Sequence, residues 1–134
     1  ALHVQVPLEA PPRDDSAAFD VHRRNLRALM FSAGFPIDAQ AVRFQADNLA
    51  RARFNSRPLS LTPGFVDRLP RLDAALVGIW GSEDATAGGA TGILQRREIF
   101  RAAQPGCDFH ILENTGHWAM YEAPDRVSDI LLQG

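Results

Sequence analysis

Ala74-Ala75-Leu76-Val77-Gly78-Ile79-Trp80-Gly81-Ser82-Glu83-Asp84 is an apolar run that stops at a glycine and gives way to two acids. The run Ala74 to Trp80 is the longest apolar stretch in the chain, and it falls far short of a membrane span. A short, continuous, β-branched and aromatic run of this kind reads as a strand buried on both faces of a parallel sheet. Downstream, Ala90 to Ala103 reads as a helix that Pro105-Gly106 breaks. Phe109 to Leu112 reads as a second strand, and Pro124 opens a last helix through Leu132. Residues 72–134 thus spell β, loop, α, β, loop, α. A crossover between parallel strands delivers the loops after both strands to the same edge of the sheet.

The pattern upstream is different. Residues 1–13 hold Pro7, Pro11 and Pro12, which makes them extended or irregular. Ala1 to Pro12 reads as mid-chain sequence, so the chain is expected to be a piece of a longer protein. A helix is predicted from Asp14-Asp15-Ser16 to about Gly34, with Ala18, Val21, Leu26, Leu29 and Met30 inward. A second is predicted from Asp38 to about Phe54, with Ala39, Val42, Ala46, Leu49 and Ala50 inward. Thr62-Pro63 opens a third, short helix that Pro70 closes. The fold class is therefore α/β and helix-rich: an extended and helical segment over 1–71, then two parallel strands with flanking helices over 72–134. Two strands make a poor sheet. Their open edges predict a partner, either the rest of a longer protein or a second copy in a homo-oligomer.

Composition narrows the function classes. The formal net charge is −2 over 134 residues, which gives no electrostatic case for nucleic acid or an anionic membrane surface. All 14 basic residues are arginine, read as a GC-rich, bacterial coding bias. The single cysteine, Cys107, cannot close an internal disulfide, and a cytoplasmic location is the expectation.

Two loops carry the chemistry. Asp84 follows the first strand, and His117 follows the second in Glu113-Asn114-Thr115-Gly116-His117-Trp118, 33 positions later. If the strands are parallel neighbours, the two side chains can meet. Histidine is a general base near neutral pH, with a reference pKa of about 6.5. A carboxylate on one ring nitrogen fixes the tautomer and leaves the other free to accept a proton. Gly116 is expected to let the loop turn sharply. Glu83 is the rival acid, one position earlier on a longer side chain.

Gly81-Ser82-Glu83-Asp84 after a buried strand, then Gly116-His117-Trp118 before a proline-initiated helix, resembles the end of the α/β-hydrolase fold. In that family the chain order is nucleophile, acid, histidine. The resemblance implies that Asp84 and His117 are the acid and base of a catalytic triad, and that 14–70 belong to a helical cap. Gly116-His117-Trp118-Ala119 with Glu122 is nearest to hydrolases that cleave a carbon–carbon bond beside a ketone in meta-ring-fission products. By that likeness Trp118 lines the substrate pocket. Gln45 occupies the cap-helix position where the ring-fission group carries a carboxylate-binding arginine. Arg43 lies two residues earlier, about 200° around the helix, which leaves a plain ester hydrolase open beside the carbon–carbon reading.

The family's Gly-x-Ser-x-Gly elbow is missing from this sequence. The nearest string, Met30-Phe31-Ser32-Ala33-Gly34, follows a helical pattern and reads as a helix end closed by Gly34. The expectation is a serine-type hydrolase acting on a small ester or ketone, whose nucleophile lies outside this chain and whose isolated chain is inactive. The competing expectation is a binding or assembly module that keeps the framework without catalysis. No cofactor and no metal are implied; the partner is a small-molecule substrate. His22 is expected on an exposed arginine-rich face, His110 as packing, and Cys107 as a structural thiol.

Overall fold

A computed structural model describes residues 6–11, 15–55, 58, 62 and 64–133. Pro12, Asp14 and Pro63, each used above, lie outside the described residues. Two helices come first: α1 (Asp15–Leu29) and α2 (Ala39–Arg51). A 3-10 turn covers Val66–Arg71, with Pro70 inside it. Then follow β1 (Val77–Gly81), α3 (Gly89–Ala103), β2 (Asp108–Leu112), α4 (Ala119–Glu122) and α5 (Pro124–Gln133).

β1 and β2 pair in parallel, in a register that sets Val77 against Asp108 and Gly81 against Leu112. Helices cover both faces of this ribbon. On one face Leu69, Phe100 and Cys107 pack with Leu76, Trp80 and Phe109. On the other, Leu112, Ala119 and Val127 pack with Ile79, Ala123 and Ile130. The strands are less buried than the sequence predicts: Val77, Ile79 and Trp80 are only half-buried. The reason is lateral. Among the described residues each strand has one neighbour, so its other edge is open.

α1 and α2 form their own cluster from Leu26, Phe31, Ile37, Ala41 and Val42, against which Trp118 and Tyr121 pack from the far end of the chain. Asp38 caps α2 by accepting a hydrogen bond from the Ala41 N–H at 2.8 Å. The inward face of α2 is Ala41 and Val42, whereas Leu49 is 49% exposed. The predicted inward set runs too far along a helix whose last turns leave the body. His22 also departs from expectation: it is 6% exposed, and its Nδ1 has no partner among the described residues. α1 stops at Leu29, earlier than predicted, and Gly34 does not take the left-handed conformation of a helix-closing glycine.

Candidate active site

The acid loop leaves β1 at Gly81, and the histidine loop leaves β2 at Leu112. The two are laced together by backbone. Ser82 N donates to Leu112 O and Glu83 N to Thr115 O, both at 2.9 Å. The Ser82 hydroxyl accepts from Asn114 N at 2.9 Å. Asn114 sits at φ 55°, left-handed space that asparagine tolerates. Gly81 is required for closeness: a side chain there would collide with the Thr115 and Gly116 carbonyls.

This lacing brings Asp84 and His117 together. His117 Nδ1 lies 2.9 Å from Asp84 Oδ2. Asp84 is 3% exposed, while the imidazole is 39% exposed. Burial pushes the Asp84 pKa up, but hydrogen bonds from His117 and Thr86, with the His117 charge, outweigh it and hold the group below its usual value. A carboxylate only accepts, so Nδ1 carries the hydrogen and Nε2 is the nitrogen left to take a proton.

Thr86 completes the arrangement, and it was not foreseen. Its hydroxyl donates to Asp84 Oδ1 at 2.7 Å and its N–H donates to the same oxygen at 2.8 Å. With its hydrogen so used, the Thr86 oxygen can only accept from His117 Nδ1, 3.1 Å away. Asp-x-Thr is a recognisable side-chain-to-backbone turn, which is the signal that could have found it. Behind it, the buried Arg96 guanidinium donates to Ala87 O at 2.7 Å and Gly92 O at 2.9 Å, holding the turn of residues 85–87 against α3. Burial lowers the Arg96 pKa and the Asp84 charge opposes that.

Other named residues go elsewhere. Glu83, the rival acid, accepts from Ala33 N at 2.8 Å. Ser32 is 4% exposed, and its hydroxyl donates to Glu122 Oε2 at 2.6 Å. Trp118 lines an open groove of about 340 Å³ with Phe44, Asn48, Met120 and Tyr121. Gln45 is half-buried on α2 and is not among the residues lining that groove. Cys107 is buried, which raises its thiol pKa, and nearby Asp108 adds to that rise. His110 is half-buried within β2. Among the described residues no group of three or more His, Cys, Asp or Glu could hold a metal ion. No helix among them is long and apolar enough to cross a membrane.

Parallel strands flanked by helices, with an acid and a histidine meeting at their carboxyl ends, define a piece of a doubly wound α/β hydrolase framework. The sequence profile of the alpha/beta hydrolase family matches residues 2–130, and the chain belongs to that family. Among solved structures it is similar to a bacterial membrane phospholipase A described as a virulence factor, at 21% identity and a TM-score of 0.59. That match covers 86% of this chain and 37% of the phospholipase. It is also similar to a Burkholderia cenocepacia protein assigned as an aryl esterase, at 21% identity and a TM-score of 0.62, covering 92% of this chain and 46% of that one. The chain therefore spans under half the length of either structure. No curated protein sequence matches it significantly.

Proposed function

We propose that this chain supplies the acid and base of a serine-type hydrolase acting on a small apolar ester, with the nucleophile on a segment outside it. The observation that carries this reading is the 2.9 Å contact between buried Asp84 and half-exposed His117 at the carboxyl ends of two parallel strands. In that reading a serine hydroxyl attacks the substrate carbonyl and His117 Nε2 takes its proton. Asp84, held by Thr86, keeps the hydrogen on Nδ1 and stabilises the imidazolium that forms. The imidazolium then protonates the leaving alcohol, and in the second half-reaction Nε2 activates water against the acyl-enzyme. The apolar groove beside Trp118 takes the acyl or aryl part of the substrate. An ester is preferred over a ring-fission ketone because, among the described residues, no cationic side chain lines that groove to hold the ketone substrate's carboxylate. The esterase and phospholipase neighbours favour the same choice.

The isolated chain is inactive, its location is cytoplasmic, and the open edge of β1 pairs with the same edge of a second copy. The test of activity uses p-nitrophenyl acetate and butyrate. This chain alone is expected to give no turnover. A longer polypeptide that joins it to a nucleophile-bearing segment is expected to hydrolyse both esters and to lose that activity in His117→Ala. Turnover that survives His117→Ala would remove His117 from the mechanism. A folded, longer polypeptide with no turnover would favour the non-catalytic framework instead. Turnover by this chain alone would place a nucleophile within it, and Ser32 would be replaced next.

A further inference from the structure

His117 stands between two backbone tethers, and both lead to the turn that ends α1. On one side Gly116 N donates to Glu122 Oε1 at 2.8 Å. On the other, Trp118 N donates to Met30 O at 2.9 Å. The same Glu122 carboxylate also accepts from Ser32 N at 2.9 Å, through Oε1, and from the Ser32 hydroxyl at 2.6 Å, through Oε2. One side chain thus gathers three donors, two from Ser32, 90 positions before it, and one from Gly116, 6 positions before it. The fit is close. A Cβ on Gly116 would come within 2.6 Å of Glu122 Oε1, Met30 O and Ser32 N alike. Around this point Arg27 donates to the Ser32 and Phe35 carbonyls, Glu83 accepts from Ala33 N, and Phe31 packs edge-on against Trp118 with centroids 5.3 Å apart.

A carboxylate with three N–H and O–H donors is a strong, directional anchor, because hydrogen bonds to a charged group outweigh neutral ones. Its bonds do not touch the imidazole. They set the backbone on one side of His117, while the Met30 carbonyl sets the other. We propose that Glu122 is a positioning residue: it locks the turn between α1 and α2 onto the histidine loop and thereby holds the imidazole in register with Asp84. This rests on His117 and Asp84 acting as a pair. Cap helices and base then move as one body, and a displacement of the Ser32 turn carries directly to His117.

The test reads the His117 ring itself, so it stands whether or not the hydrolase reading does. Nitrogen-15 NMR of the imidazole in this chain reports which ring nitrogen carries hydrogen. The wild type is expected in the Nδ1–H form that Asp84 imposes. Glu122→Gln keeps an oxygen for the two N–H donors, and the Ser32 hydroxyl can rotate to accept from its amide; the Nδ1–H form is expected to persist. Glu122→Ala removes all three bonds and is expected to return His117 to a mixture dominated by Nε2–H. Glu122→Asp, a methylene shorter, cannot reach all three donors and is expected in between; it decides the matter if the alanine variant does not fold. Leu69→Ala, which opens a cavity under the other sheet face, should cost stability and leave the tautomer alone. Glu122→Ala or Glu122→Asp folded with the wild-type Nδ1–H form would overturn the proposal, as would a Leu69→Ala variant that shifts the tautomer equally.

Discussion

Asp84 and His117 illustrate what a single position can tell. An acid after a strand-ending glycine, or a histidine after a glycine, is unremarkable alone; order, spacing and strand context together made the pair legible. Gly116 was legible as necessary but for a different reason: it is needed because three polar atoms crowd it, not for a tight bend. The Asp84 carboxyl, held below its ordinary value of 3.8, also carries a pH prediction. A group whose folded pKa is depressed contributes stability that is present above its unfolded value and is lost as pH falls through the folded one. Acid titrations followed by circular dichroism should therefore show wild type more stable than Asp84→Asn at neutral pH. The gap should close below about pH 4. A gap that stayed constant to the acid limit would mean that the Asp84 charge contributes nothing to the fold.

Elements were legible where their signals are local. β1, α3, β2 and α5 all appear within three residues of the predicted bounds, since apolar runs, glycines and prolines mark them. The start of α2 was predicted at Asp38, and the structure makes Asp38 the cap of that helix. The end of α1 was not legible, because Met30, Ser32 and Ala33 bond instead to the Trp118 N–H, Glu122 and Glu83. The α1–α2 pair holds its own core, and Leu26, 1% exposed, lies in it. Leu26→Ala is expected to lower the unfolding free energy by about 2–5 kcal/mol, whereas truncating an exposed leucine costs under about 0.5 kcal/mol. Leu132, 85% exposed, is the matching control, and urea denaturation of both variants measures the difference. Equal midpoints for the two would show that the α1–α2 cluster is not packed as described.

At the scale of the molecule, the two-stranded ribbon is the feature with the largest consequence. Interior strands of a doubly wound sheet are flanked on both sides, and here β1 has a strand on one side only among the described residues. An open edge with its N–H and C=O groups unpaired is a template for another strand. Two copies related by a twofold axis would join their β1 edges antiparallel and make a continuous four-stranded sheet. Light scattering is expected to show a dimer whose population rises with concentration. A well-folded monomer throughout the accessible range would sink the second-copy proposal and leave the edge to a segment of the same longer protein.

By itself the sequence determined the β-α-β-α order, the two helices before it, and the pair Asp84 and His117. Each of these rests on residues close together in the chain, on hydrophobic period, punctuation by glycine and proline, and the order of motifs. Only the tertiary structure decided that Thr86 shares the His117 proton, that Arg96 braces the acid loop, that His22 is buried and that Glu122 binds Ser32 and Gly116. Those facts depend on hydrogen bonds and packing across distant segments. A polar side chain looks the same in sequence whether water or a buried donor satisfies it, and only the path of the folded chain chooses between them.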